Sequence, residues 1–263
     1  MGSDKEIYPY DGHLAMFLAV MCHQAYQLSA GKSFILPKGY SLKCPIPSSS
    51  GEIFGFIAES EDHVVIVFRG TSTVKNVTSY LNISQVTFPF VKDCGKTHRG
   101  ITRLYSASRS IILTVLMRTS PRKKLLVTGH SLGACLATLF TLDAAVNTPF
   151  NNPILYTFAS LPIGNTAFVK SFYKEVKNSN RIINVNDTVT NHITPMLFRK
   201  EPLMNLPHGE EFRLKFENRS VRLNHKIVCY FNQLRQMHPG FAKQMCRENP
   251  GFCPNISKCC GEC

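Results

Sequence analysis

Residues 124–140 read KLLVTGHSLGACLATLF, and this run limits what the chain can become more than any other. Its first part, 125–128, is short and apolar, as a buried strand is. Its continuation, 132–146, is rich in Ala and Leu and long enough for a helix. Between them Gly129-His130-Ser131-Leu132-Gly133 fits the pattern G-x-S-x-G. Small residues at both ends permit a very sharp strand-to-helix turn that lifts Ser131 to its apex. There, amide groups opening the helix point toward any oxyanion that Ser131 creates. The pentapeptide alone is weak evidence, because Gly and Ser are common. A strand before it and a helix after it give it weight.

The rest of the chain supplies the elements such a turn needs. Helical patterns occupy 13–29, 101–117, 166–177 and about 224–236. Strand patterns occupy 52–58, 63–68, 154–159 and 181–185. Segments 212–216 and 221–223, separated by Glu-Asn-Arg-Ser, suggest a hairpin, and 72–98 reads as a long loop or short helices. Alternating strands and helices predict an α/β architecture with a mostly parallel or mixed central sheet and helices on both faces. At 263 residues one such domain is expected, here 1–236, with 237–263 as a Cys-rich appendage.

A serine hydroxyl attacks well only when a base takes its proton and an acid orients that base. On sheets of this kind the partners follow in the order Ser, acid, His. Two aspartates lie beyond Ser131. Asp143 sits twelve positions along the same helix, roughly 18 Å away at 1.5 Å per residue, and is excluded by distance. Asp187 follows the strand RIINV at the same carboxyl edge of the sheet, and is the candidate acid; an Asx-turn role is the plainer reading. Among His192, His208, His225 and His238, His225 stands at a strand-to-helix junction and is the candidate base. His192, five residues from Asp187, is the alternative.

The formal charge of +13 suggests an anionic partner, either nucleic acid or acidic lipid. No nucleic-acid-reading motif accompanies it, so lipid is the better reading and nucleic acid is not expected. The densest run, Arg122-Lys123-Lys124, precedes the Ser131 strand and lies at its far end, roughly 20 Å from Ser131 at 3.3 Å per residue. No run of 18 apolar residues exists, so no transmembrane segment is expected. The polar start MGSDKEIYPYDG shows no signal peptide, which makes a cytoplasmic location the default, with a secreted form open. Ten cysteines divide into five scattered residues, read as buried thiols, and five within 246–263. That cluster is read as disulfides, free thiols, or a zinc site through Cys259, Cys260, Cys263 and one upstream thiol. Its spacing fits no zinc signature well, so no metal or other cofactor is expected, and a monomer is expected.

Taken in order, VIVFRGT (65–71), THRG (97–100), GHSLGA (129–134), NVND (184–187) and NHKIVCYF (224–231) resemble segments of the class 3 lipase family. The resemblance covers about 50–236. It implies an α/β-hydrolase fold, a lipid ester substrate such as an acylglycerol or phospholipid, and a Ser131–Asp187–His225 triad. It further implies that Thr71, through its backbone N–H and hydroxyl, and Leu132, through its N–H, hold the oxyanion. A lid is implied at 74–91, where Val74, Val77, Tyr80, Leu81 and Ile83 recur at helical spacing and Phe88, Phe90 and Val91 are expected at the pocket mouth; a fixed surface helix packed on the core is the alternative. Arg213, Lys215, Arg219, Arg222 and Lys226 form a basic series near the base that could meet an anionic lipid surface. A reading of another class stays open: a non-catalytic, lipase-like protein that binds a membrane or partner.

Overall fold

The structure, a computed structural model, describes residues 5–48, 51–71, 84–193 and 210–256. Its centre is a seven-stranded sheet built from β1 (Ser41–Pro47), β2 (Ile53–Glu59), β3 (His63–Phe68), β6 (Lys124–His130), β7 (Ile154–Phe158), β8 (Asn178–Asn184) and β9 (Glu210–Leu214), in the order β1-β2-β3-β6-β7-β8-β9. The first two pairings are antiparallel, and from β3 to β9 every pairing is parallel. Short strands β4 (Gln85–Thr87) and β5 (Lys96–His98) form a separate antiparallel pair.

Side-chain alternation assigns each strand to two cores. Ile57, Val64, Ile66, Phe68 and Val127 face one side, where α2 (Arg99–Leu116), α3 (Leu132–Asn147) and α4 (Thr166–Glu175) pack. Phe56, Ala58, Val65, Val67 and Leu126 face the other, against α1 (Gly12–Ser29) and α6 (Ile227–Met237). Burial on both faces explains why the parallel strands read as continuous apolar runs. Helix α3 is buried from Leu132 to Ala145. Its one carboxylate, Asp143, is fully buried and neutralised there: Arg109 donates to it at 3.0 Å, and the Tyr105 hydroxyl and Asn147 amide donate as well.

Two expectations change. Segments 212–216 and 221–223 do not form a hairpin: β9 runs parallel to β8, and Val221–Asn224 is a short helix, α5, capped by the Ser220 hydroxyl. Phe88 and Val91 do not line a pocket mouth but lie in the core, Phe88 against Tyr105 and Phe168. Aromatic bulk at these positions is satisfied by burial. Residues 74–83 of the lid segment, His208, Cys259, Cys260 and Cys263 lie outside the described residues. In the C-terminal segment, α7 (Pro239–Glu248) buries Ala242 and Met245 on the α1 side, Phe252 follows them into the same core, and Cys246 is disulfide-bonded to Cys253.

Candidate active site

Parallel pairing brings the carboxyl ends of β3, β6, β7 and β8 to one edge, and the chain's polar groups of interest gather there. Ser131 leaves β6 with φ 57° and ψ −123°, a conformation that L residues rarely adopt. Two glycines make this turn possible. A Cβ on Gly129 would lie 2.2 Å from the Gly133 carbonyl, and one on Gly133 would lie 2.4 Å from the Phe68 carbonyl. The Ser131 amide donates to the Phe158 carbonyl at 2.9 Å, which fixes the apex to the neighbouring strand.

His225 falls between α5 and α6, its own amide bonded back to the Val221 carbonyl. Its Nε2 lies 2.8 Å from Ser131 Oγ and its Nδ1 lies 2.7 Å from Asp187 Oδ2. Because a carboxylate only accepts, Nδ1 carries the hydrogen and Nε2 accepts from the serine. Asp187 is fully buried just past β8. Its Oδ1 accepts from the Val189 amide at 3.1 Å, and its Oδ2 also accepts from the Tyr230 hydroxyl at 2.9 Å. The Asp187 main-chain carbonyl receives the Asn191 amide and the Thr190 hydroxyl at 3.1 Å each, as a π-helical turn opens at Val189–Ile193.

Asparagines tie the two supporting loops together. Asn184 accepts the Asn186 and Phe216 amides through Oδ1 and donates through Nδ2 to the Asn224 carbonyl. Asn224 in turn donates to the Asn186 carbonyl and to Glu217. His225 and Asp187 are thus held by one polar lattice, which limits their relative movement.

The other predicted residues take adjoining places. Leu132 is the first residue of α3, at the positive end of the helix dipole. Thr71 follows Gly70 beyond the end of β3, and Gly70 is packed so closely on the elbow that an added Cβ would lie 3.0 Å from Ser131 Cβ. Asp143 belongs to the Arg109 cluster and not to this site. His192 lies in the π-helical turn, and His238 at the α6–α7 junction stacks edgewise on His13. The sequence gives no separate role to Tyr26 or, within the segment 224–231, to Tyr230, and each meets the site across a long separation. Among the described residues, no group of three or more His, Cys, Asp or Glu could hold a metal ion, and no helix is long and apolar enough to cross a membrane.

The strand order, the sharp serine turn and the loops at the carboxyl edge define an α/β-hydrolase fold. Residues 65–196 match the family model described as Lipase (class 3), and the chain belongs to that family. It is 32% identical over 146 residues to a lipase of Rhizomucor miehei, covering 53% of this chain and 40% of that protein. It is 29% identical over 208 residues to a secreted alkaline triacylglycerol lipase of Penicillium cyclopium, covering 74% of this chain and 68% of that protein. The chain therefore spans well under two thirds of the first of these relatives. Among solved structures it is similar to the Rhizomucor miehei lipase propeptide complex, with a TM-score of 0.61 at 22% identity over 75% of this chain and 73% of that one. The lipase from Rhizopus microsporus var. chinensis gives 0.60 at 21% identity over 75% and 74%.

Proposed function

We propose that this protein is a serine hydrolase that cleaves carboxylic esters of lipids, acylglycerols or phospholipids, through an acyl-enzyme. One observation carries the reading: Ser131, His225 and Asp187 form an unbroken hydrogen-bonded row whose hydrogens can point in only one direction. Family membership and the lipase names of its relatives support the substrate class.

In the proposed reaction Ser131 Oγ attacks the ester carbonyl carbon as its proton passes to His225 Nε2. The carbonyl π electrons move to oxygen, and the oxyanion is met by the Thr71 amide and hydroxyl and by the Leu132 amide. On collapse the C–O bond to the alcohol breaks, and His225 returns its proton to the leaving oxygen. A water then repeats the sequence on the acyl-enzyme, releasing the carboxylic acid and restoring Ser131. Asp187 keeps the imidazole in the required tautomer and stabilises the imidazolium.

A lipid surface is the proposed setting. Val185 and Val221 are exposed (38% and 47%) on the two loops that carry Asp187 and His225. Arg213, Lys215, Arg219 and Arg222 are exposed beside them. Apolar side chains ringed by cations suit an anionic membrane, with the protein acting as a monomer. Ser131 itself is only 2% exposed, and residues 74–83, which follow the proposed oxyanion segment, are proposed as a lid over it. The disulfide and the word "secreted" in the Penicillium cyclopium relative's name favour an oxidising, extracellular location over the cytoplasm.

Hydrolysis of p-nitrophenyl butyrate by the wild-type chain and a Ser131→Ala control tests the chemistry. Equal rates for the two would overturn it. Binding to anionic and neutral vesicles across a salt series tests the surface: preference for the anionic vesicle that fades with salt is expected, and salt-independent binding would refute it.

A further inference from the structure

His130 immediately precedes Ser131, is buried, and has hydrogen-bond partners at both ring nitrogens. Its Nε2 lies 2.7 Å from the main-chain carbonyl oxygen of His225. A carbonyl only accepts, so Nε2 carries the hydrogen. Its Nδ1 lies 2.8 Å from the hydroxyl of Tyr26 on α1. In a neutral ring Nδ1 is then the acceptor and Tyr26 the donor. Burial holds the ring neutral: desolvation, with His225 nearby adding to it, pushes the His130 pKa well below the ordinary imidazole value of 6.5. The Tyr26 oxygen, having given its hydrogen to His130, accepts the Gly70 amide at 3.0 Å. A directed chain results: Gly70 N–H to Tyr26, Tyr26 O–H to His130, and His130 N–H to the His225 carbonyl.

The two ends of this chain lie at two separate parts of the proposed machinery. At one end is Gly70, whose other polar group is also held: its carbonyl accepts from Arg69 Nη1 at 2.7 Å, and Arg69 is anchored by the Ile53 carbonyl at 2.8 Å. Gly70 is confined as well as bonded, since an added Cβ would meet the Tyr26 oxygen at 2.6 Å and the His130 carbonyl at 2.8 Å. With both polar groups of Gly70 fixed, the entry to Thr71 is set. At the other end is the backbone of His225, the proposed base. Between them stands the residue beside the nucleophile.

We propose that Tyr26 and His130 are a positioning pair that sets the oxyanion-binding loop and the His225 backbone in register with Ser131. The proposal rests on the hydrolase reading above. Neither side chain touches reacting atoms, and both act through the groups they hold. A ring that only filled space could be replaced by an apolar one of similar size. A polar ring joining α1, the end of β3 and the α5–α6 junction instead fixes the distances between these elements beside Ser131. Small displacements of such groups lower the chemical step more than they weaken substrate binding.

The test compares Tyr26→Phe, His130→Gln and His130→Leu with wild type, using the full chain, p-nitrophenyl butyrate and thermal unfolding in parallel. Losing one alignment contact should lower kcat about tenfold in Tyr26→Phe, with KM within about twofold of wild type, less than the loss of a whole oxyanion donor. His130→Leu should fall further. His130→Gln, whose amide can donate to the His225 carbonyl while its oxygen accepts from Tyr26, should recover most of that loss. Tyr26→Phe added to His130→Leu should cost little more, because the hydroxyl acts through the imidazole. If His130→Leu fails to fold, Tyr26→Phe and His130→Gln still decide. Wild-type kcat in Tyr26→Phe, whatever its Tm, would overturn the proposal. So would equal kcat in His130→Gln and His130→Leu at matched Tm. A wild type no faster than Ser131→Ala would overturn the hydrolase reading itself, and this proposal with it.

Discussion

Tyr230 donates its hydroxyl to the same carboxylate oxygen of Asp187 that receives the His225 imidazole. The Tyr230 oxygen also accepts the Asn184 amide at 3.0 Å, so its hydrogen is directed at the acid and not elsewhere. Burial raises the Tyr230 pKa well above its usual value, with the Asp187 charge adding to it, which keeps the phenol a donor. A donor at this oxygen spreads the carboxylate charge and fixes its plane. We expect Tyr230→Phe to retain the fold and lose roughly three- to tenfold in kcat, about 0.7–1.4 kcal/mol, because Asp187 keeps its donors from Val189 and His225. Steady-state kinetics with circular dichroism check this, and an unchanged kcat would contradict it.

Removal of the proposed nucleophile or base should be far costlier than removal of a supporting hydroxyl. Ser131→Ala and His225→Ala are each expected to lower turnover on the order of 10⁴ or more. Asp187→Asn should approach the same loss by presenting the wrong imidazole tautomer. An active His225→Ala beside an inactive His192→Ala would reassign the base.

Much of this arrangement could be read from residues alone, and what could not has physical causes. The serine turn was readable because three local requirements coincide: an apolar strand, glycines where backbones touch, and a helix start. Asp187 and His225 were readable because each stands at the end of an element. Strand β1 was missed because Pro45 and Pro47 read as a break; on an edge strand a missing amide costs little, and among the described strands β1 pairs only with β2. Residues 212–223 misled because alternation shows that a segment is a strand but not which neighbour it joins. Helix α7 was hidden by the change in composition around it. Tyr26 and Tyr230 contribute single hydroxyls across 104 and 43 positions of sequence, which leaves no local trace.

Arg219 adopts φ 51° on an exposed turn just ahead of α5, a backbone region where a side chain costs roughly 1 kcal/mol and glycine is at ease. Arg219→Gly should therefore stabilise the protein, raising Tm by about 2–4 °C for a domain of this size. The same change removes a cation from the proposed lipid-facing series and should weaken binding to anionic vesicles. Calorimetry and vesicle sedimentation read the two effects separately. A lower Tm would argue against strain, and unchanged binding would remove Arg219 from the surface.

Acid should unfold this protein through its histidines before its carboxylates. Burial lowers the pKa of His23 to about 4 and depresses those of His63, His98 and His130 below 6.5. Each group therefore binds its proton more readily in the unfolded chain. Their stabilisation is complete above about pH 6.5 and declines as pH falls through the window beneath it. Glu59, held low by Lys123 and Lys43, weakens only below its ordinary 4.5. Denaturant titrations between pH 6.5 and 4.5 should show stability falling with acid, and His130→Gln should flatten that slope by up to about 1.4 kcal/mol per pH unit, one proton's worth. An unaltered slope would mean that His130 is charged in the folded protein.

Helix α1 links the first and last parts of the described chain. Gln24 donates to the carbonyl of Phe252 at 2.6 Å and accepts the Ile35 amide at 2.9 Å, and two residues further on Tyr26 reaches the Gly70 amide. A ribosome adding about 5–20 residues per second needs roughly 10–45 s to cover the 228 positions between Gln24 and Phe252. Throughout that interval the helix that holds the Gly70 amide, at the entry to the proposed oxyanion loop, lacks its bond to Phe252. Esterase competence would then wait until Phe252 has been made and docks, and a nascent chain with a complete Ser131–His225–Asp187 row but no Phe252 would still be an immature catalyst.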